Sequence, residues 1–273
     1  MYLKKLKIDG KSKINIFKFQ YGPWAIVAGA SEGLGAAFAE SLAYRGLNLV
    51  LLARRKEKLM ALSEKLSKEY GVEIIVYALD LGDIQKLREF YRGLNKEIGL
   101  LVYNAAFAPI GSFEDRTEED LLKIIDVNIK APLIMVKKAS EKMILQKKGG
   151  IILMSSLSGY QGSPKISTYA ASKAFNTILA EGLWKELKEN NIDVLSCISG
   201  AVRTPGYQQA QGGNEAPGIL DASSVVESTL NSLGRGPTIV PGALNKIFSF
   251  ILTRIVPVKI AIGIMYKKTK ELS

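Results

Sequence analysis

The 273-residue sequence contains no histidine. Histidine is the side chain whose ordinary pKa lies closest to neutrality, and it is the commonest metal ligand. Acid–base chemistry therefore falls to a tuned tyrosine, lysine or carboxylate. No cluster with metal-ligand spacing appears either, so no metal is expected. Cys197 is the only cysteine, which excludes an intramolecular disulfide and fits a reducing, cytoplasmic setting. It stands in an apolar run and is read as a small core residue. Long uncharged hydrophobic runs are missing as well. Residues 247–265 are rich in apolar side chains, but Arg254, Pro257 and Lys259 interrupt them. A spanning helix needs about 20 largely uncharged residues. The start, Met-Tyr-Leu-Lys-Lys, lacks the apolar stretch and cleavage pattern of a signal peptide.

What is abundant is positive charge, and it is unevenly placed. The net charge is +11. Six basic residues face one acidic residue in 1–20, and the same ratio recurs in 244–273. The body between them is nearly neutral, which argues against a basic nucleic-acid-binding face. Hydrophobic residues make up 47% of the chain, enough for a large core.

The middle of the chain alternates apolar runs with helical periodicity. Trp24–Gly29, Leu47–Ala53, Glu73–Ala78, Ile98–Tyr103, Ile151–Ser155, Ile192–Ser199 and Thr238–Val240 read as buried strands. Helices are expected near 33–45, 55–70, 83–95, 117–146, 165–190 and 222–233, with Pro132 kinking or dividing the fourth. Near-continuous apolar strands joined by helical crossovers predict an α/β fold, a parallel sheet covered on both faces. The expected organisation is a basic N-terminal extension (1–20), one doubly wound domain (21–243) and a basic amphipathic C-terminal segment (244–273). Within the domain, 204–220, rich in Gly, Gln and Pro, is the expected mobile substrate loop.

The first strand ends in Gly29-Ala30-Ser31-Glu32-Gly33-Leu34-Gly35 and runs into a helix. Glycines at such a strand–helix turn let a pyrophosphate approach the backbone, and the helix N-terminus supplies free N–H groups. The second strand ends at Ala53, followed by Arg54 and Arg55 rather than a carboxylate for a ribose 2′-hydroxyl. Guanidinium groups suit a 2′-phosphate, and Ser31 could add a hydroxyl donor. This favours NADP(H) over NAD(H). Asp80, after the third strand, either accepts from an adenine amino group or caps the following helix.

Tyr169-Ala-Ala-Ser-Lys173 places a phenol and an ammonium at i and i+4, on one helix face. A free tyrosine titrates near about 10, and a nearby cation can lower that by roughly 1–3 units. The spacing alone is weak, since Tyr266 and Lys270 repeat it. Context separates them: Ser156 ends a buried strand thirteen residues before Tyr169, where its hydroxyl can orient a substrate oxygen.

In order along the chain, these features resemble the classical branch of the short-chain dehydrogenase/reductase family, over roughly residues 22–242. The resemblance also rests on Asn104-Ala105, Asn128, and Gly200 to Thr204. It implies a Rossmann-type domain with a seven-stranded parallel sheet in the order 3-2-1-4-5-6-7. It implies Asn128, Ser156, Tyr169 and Lys173 as catalytic residues: Tyr169 as acid or base, Lys173 lowering its pKa, Ser156 orienting substrate and Asn128 holding a relay water. Cofactor contacts are expected from Gly29, Ser31, Glu32, Gly33, Leu34, Gly35, Arg54, Arg55, Asp80, Leu81, Asn104, Ala105, Tyr169, Lys173, Gly200, Val202 and Thr204. The pattern departs from the family at Ala28, Tyr103, Ala106 and Ser199.

A narrower similarity, through Tyr-Gly-Pro-Trp before the first strand and the run from Glu40 to Arg54, points to the branch of 17β-hydroxysteroid dehydrogenases and very-long-chain 3-ketoacyl-CoA reductases. It implies a lipophilic ketone or secondary alcohol, such as a 3-oxoacyl compound or ketosteroid, as substrate. A homodimer or homotetramer is the family expectation. The alternative is a non-catalytic lipid-binding or interaction protein on the same scaffold. The C-terminal segment either touches a membrane peripherally or packs on the domain or a second subunit.

Overall fold

The computed structural model of the protein describes residues 10–210 and 215–270. Parts of the sequence expectations lie outside those residues: the lysines at 4, 5 and 7, positions 211–214 of the substrate loop, and 271–273. The side chain of Lys270, used above for comparison, also lies outside the described residues.

Seven parallel strands form the main sheet: β1 (Trp24–Ala28), β2 (Asn48–Ala53), β3 (Ile74–Ala78), β4 (Ile98–Tyr103), β5 (Gly149–Ser156), β6 (Ile192–Ser199) and, after a small pair, β9 (Thr238–Ile239). Their order is β3-β2-β1-β4-β5-β6-β9, as expected. Period-two alternation divides each strand between two cores. Ala25, Val27, Leu49 and Leu51 face helices α2 (Gly33–Tyr44), α3 (Lys56–Tyr70) and α9 (Ala222–Ser232) through Phe38, Leu59 and Val225. Ile26, Ala28, Val50 and Leu52 face α4 (Ile84–Gly93), α6 (Ala131–Gln146) and α7 (Ser167–Glu186) through Leu87, Met135 and Ala180.

The segment expected as one divided helix is α5 (Glu118–Ile125), a π turn (Asp126–Lys130) and α6. Pro132 explains the break one turn before itself. The Ala131 N–H reaches back to the Asp126 carbonyl, and Pro132 has no N–H to give. The carbonyls of Val127 and Asn128 are thus left to side chains. The Tyr103 phenol donates to Val127, and the Asn176 amide donates to Asn128 at 3.3 Å.

Two appendages flank the domain. Helix α1 (Gly10–Tyr21) crosses the start of β4 and β5, where the Tyr21 ring lies against Gly150. The Tyr21 hydroxyl donates to Asp193 at 2.8 Å, and Gln20 donates to the Asn191 carbonyl at 3.0 Å. At the other end of the strands, β7 (Val202–Arg203) pairs with β8 (Leu220–Asp221) and closes the base of the 204–220 loop. Arg203 ties Glu215 and Asp221 together there. Between β7 and β8, α8 (Pro205–Ala210) gives the first half of the expected mobile loop helical order. The chain ends in α10 (Ala243–Phe250), a π turn (Ile251–Ile255) and α11 (Val258–Lys270), with Pro257 at the break.

Candidate active site

A groove runs along the carboxyl ends of the central strands, where ligands bind in open α/β sheets. One end is lined by Arg54, Arg55, Ser31 and Asp80. The other is lined by Ser156, Tyr169, Lys173 and Gly200. Glu32, Asn104, Tyr169, Thr204 and Tyr207 belong to both stretches and make them continuous.

The glycine turn sits in the middle. Gly29 has φ +82°, and a Cβ on it would lie 2.7 Å from the Ala105 backbone. A Cβ on Gly35 would lie 1.9 Å from the Gly29 carbonyl oxygen, so neither position admits another residue. The N-cap of α2, Glu32, makes no side-chain cap bond, leaving the first N–H groups of that helix open to an anion. Asn104 braces the turn by donating to the Gly29 carbonyl at 3.1 Å. These features fit a dinucleotide pyrophosphate.

At the outer end the charges are already paired. Arg55 lies 2.8 Å from Glu32 and donates to Ser31 at 2.7 Å. Lys58, which does not stand out in the sequence, reaches the second Glu32 oxygen at 2.7 Å. Hydrogen bonds from Arg55 and then Lys58 hold the Glu32 carboxyl below its ordinary pKa. Arg54 is exposed beside them. Asp80 accepts from the Gly82 N–H at 2.9 Å, whereas the cap of α4 is Asp83, which accepts from the Lys86 N–H at 3.0 Å. The helix-capping role is therefore filled without Asp80.

At the inner end Tyr169 and Lys173 lie on one face of α7, with the ammonium 5.4 Å from the ring centroid. Lys173 is 3% exposed and donates to the Met154 carbonyl at 2.9 Å. Burial pushes its pKa down to about 8. The expectation that Lys173 lowers the Tyr169 pKa is not what dominates here. Tyr169 lines the groove as a half-buried residue, but desolvation raises the pKa of its phenol, and hydrogen bonding to Ser156 opposes that rise. The Ser156 hydroxyl accepts from the Ser158 hydroxyl at 3.0 Å and from the Ser158 N–H at 3.3 Å. With its lone pairs engaged by Ser158, the Ser156 hydroxyl has one proton to give, and in the free protein it is directed at the Tyr169 phenol, beside the place where a substrate oxygen would sit.

Asn128 is fully buried in the π turn. Its side-chain amide exchanges two hydrogen bonds with the Phe107 backbone and donates to Ser172 at 3.1 Å. Ser172 in turn donates to the Tyr169 carbonyl at 2.6 Å. Asn128 thus fixes the backbone of the Tyr169 turn. A second brace was not anticipated: Ser155 donates to the Lys173 carbonyl at 2.7 Å and receives Thr177 at 2.8 Å. Of the remaining expected contacts, Leu34, Val202 and Thr204 line the groove at the inner end, and Leu81 and Ala105 the outer stretch. The Thr204 methyl would lie 3.1 Å from a Cβ on Gly33, so the loop after β6 closes directly over the glycine turn.

The sequence pattern of the short chain dehydrogenase family matches residues 23–214. The chain is a member of that family. It is 36% identical over 200 residues to the inactive hydroxysteroid dehydrogenase-like protein 1 of Homo sapiens, a match covering 71% of this chain and 59% of that protein. The chain thus spans under two thirds of that relative's length. A solved 7β-hydroxysteroid dehydrogenase superposes with a TM-score of 0.85 at 26% identity, covering 91% of this chain and 98% of that one. A short-chain dehydrogenase from Sphingobium yanoikuyae, solved with NADPH, superposes with a TM-score of 0.73 at 29% identity, covering 86% and 97%. Both the family and its hydroxysteroid branch agree with the sequence motifs.

Proposed function

We propose that this chain is an NADP(H)-dependent oxidoreductase that transfers a hydride between nicotinamide and a lipophilic ketone or secondary alcohol, with ketosteroids and 3-oxoacyl compounds as the substrate classes. The observation that carries it is the convergence of Ser156, Tyr169 and Lys173 at one end of a groove whose other end is lined by Arg54 and Arg55 with Ser31, Lys58 standing on Glu32 beside them. The glycine turn and the open N-terminus of α2 would hold the pyrophosphate, and Arg54, Arg55 and Lys58 the 2′-phosphate. The dinucleotide supplies or accepts the hydride. The chain's own residues handle the proton. The Ser156 hydroxyl donates to the substrate oxygen and fixes its position. The Tyr169 phenol, kept protonated by burial, gives its proton to that oxygen during reduction and recovers it in the reverse direction. Lys173 sets the electrostatics beside it and would reach the nicotinamide ribose. The solved NADPH-bound relative supports the cofactor, and the 7β-hydroxysteroid dehydrogenase relative supports a bulky apolar substrate.

The name of the human relative favours a second reading, a scaffold without turnover. The intact Asn128, Ser156, Tyr169 and Lys173 set favours activity. Following NADPH oxidation against ketosteroids, 3-oxoacyl thioesters and small ketones decides between them. Turnover of an apolar ketone is expected; NADPH binding without turnover of any panel member would leave the scaffold reading. Exposed Leu122 and Leu133 beside the π turn and Ile178 on α7 support a homodimer or homotetramer. A cytoplasmic location is part of this proposal; among the described residues no helix is long and apolar enough to cross a membrane.

A further inference from the structure

The C-terminal appendage presents apolar side chains to solvent. Leu244, Ile247, Phe250, Ile255, Val258 and Ile260 are each between 56% and 67% exposed. A cluster of exposed apolar side chains of this size marks a contact site. Its charge is of one sign. No acidic residue occurs between Glu227 and Glu271. Lys246, Arg254, Lys259 and Lys267 are exposed, and among the described residues none of them is in an ion pair. The exposed apolar residues of α6 differ, because Lys137 and Lys138 there pair with Glu141.

That difference selects the occupant. A second copy seated face to face on α10 and α11 would bring two unpaired basic surfaces together. A layer of lipid phosphates over acyl chains would satisfy the cations and the apolar side chains at once. We infer that α10, the π turn and α11 dock in the plane of an anionic lipid surface. The 13-residue α11 is too short to span a bilayer, so it lies in the interface.

The docking face adjoins the groove. Asn245 donates to the Gly218 and Pro241 carbonyls at 3.1 Å each, fastening α10 to the loop that closes the inner end. The Ile262 side chain lies 3.5 Å from where a Cβ on Gly162 would sit. Gly162 belongs to the segment leading from Ser156 to Tyr169. A docked molecule therefore holds its substrate end beside the lipid, where an apolar ketone partitions. This placement rests on the hydride-transfer reading; the docking itself does not.

Flotation of the full-length protein with vesicles, without cofactor or substrate, tests it. Protein should float with phosphatidylglycerol-containing vesicles, far less with phosphatidylcholine alone, and less as salt rises. The double change Phe250→Asp and Ile255→Asp should abolish flotation. Lys246→Gln, Arg254→Gln and Lys259→Gln together should weaken it roughly a hundredfold. All these side chains are exposed, so thermal melting should be unchanged; should the aspartate variant misfold, the glutamine variant tests the same docking face. Absence of flotation at low salt, or undiminished flotation of a folded variant, overturns the inference. So does an oligomer in sedimentation equilibrium that the aspartate variant dissociates while vesicles capture nothing, because a second copy then covers the face.

Discussion

The two ends of the groove handle charge in opposite ways. At the outer end Arg55, Lys58 and Glu32 are paired within 2.8 Å and stand in solvent. At the inner end Lys173 is buried, with a backbone carbonyl rather than a carboxylate as its partner. Water screens the first set, so each contact there is worth little by itself. The second set sits where screening is weak, and burial rather than pairing governs its protonation. In the proposed function, cofactor specificity belongs to the outer end and proton transfer to the inner one.

The sharpest way to break this division is Tyr169→Phe. It removes one oxygen from the inner end and leaves the outer end intact. Turnover of an apolar ketone should fall by about 10³-fold, while NADPH affinity, read by quenching of protein fluorescence, stays within about twofold. Retained turnover would move the proton step away from Tyr169.

Lys173 gives a test that needs no substrate. Its pKa is about 8 in the folded chain against 10.5 ordinarily. Below about pH 8 both folded and unfolded chains carry the proton, and the folded state bears the full cost of burying it. Between the two values only the unfolded chain keeps the proton, so stability rises with pH across that window. The whole rise is worth about 3 kcal/mol at roughly 1.4 kcal/mol per unit. Urea unfolding of the cofactor-free protein should show it, and Lys173→Met should remove it while being the more stable chain at neutral pH. Equal pH slopes in the two proteins would show that Lys173 is not desolvated.

The same contrast marks how far the sequence could be read. The strands, the glycine turn and the Ser156, Tyr169 and Lys173 set follow from local pattern, because each depends on residues close in the chain or on strand periodicity; the strand order came only through the family resemblance. Tyr103 stood out only as a departure from the family pattern. Its reason is 24 residues away: it fills a carbonyl that Pro132 cannot. The Asn176 bond to Asn128 completes the same repair across 48 residues, and no periodicity carries such a signal. Lys58 was missed because an exposed lysine in the first turn of a helix looks like any solvated residue; only folding brings it to Glu32. The exposed apolar side of the C-terminal segment was legible as a pattern, but its open face was not.

The outer end should respond more mildly. Replacing both Arg54 and Arg55 by alanine removes charge-assisted bonds worth about 1.5–3 kcal/mol. NADPH affinity should fall about 10- to 100-fold, with NADH affinity nearly unchanged and turnover at saturating cofactor preserved. A parallel loss for both dinucleotides would place the arginines on the shared part of the cofactor instead.

Glu32→Gln should have the smallest effect and the opposite sign. In the free protein the Glu32 carboxylate occupies Arg55 and Lys58, the groups a 2′-phosphate would use. An arriving phosphate must displace it or share them. Neutralising Glu32 frees both cations and removes a like charge, at the loss of a solvent-exposed pair worth at most about 1 kcal/mol. Affinity for 2′,5′-ADP should rise about two- to fivefold by titration calorimetry, while that for 5′-AMP stays level. The gain should shrink with salt, as expected for an exposed site. A loss of affinity for 2′,5′-ADP would mean that Glu32 orients Arg55 for the phosphate rather than competing with it, and the outer end would then be prearranged like the inner one.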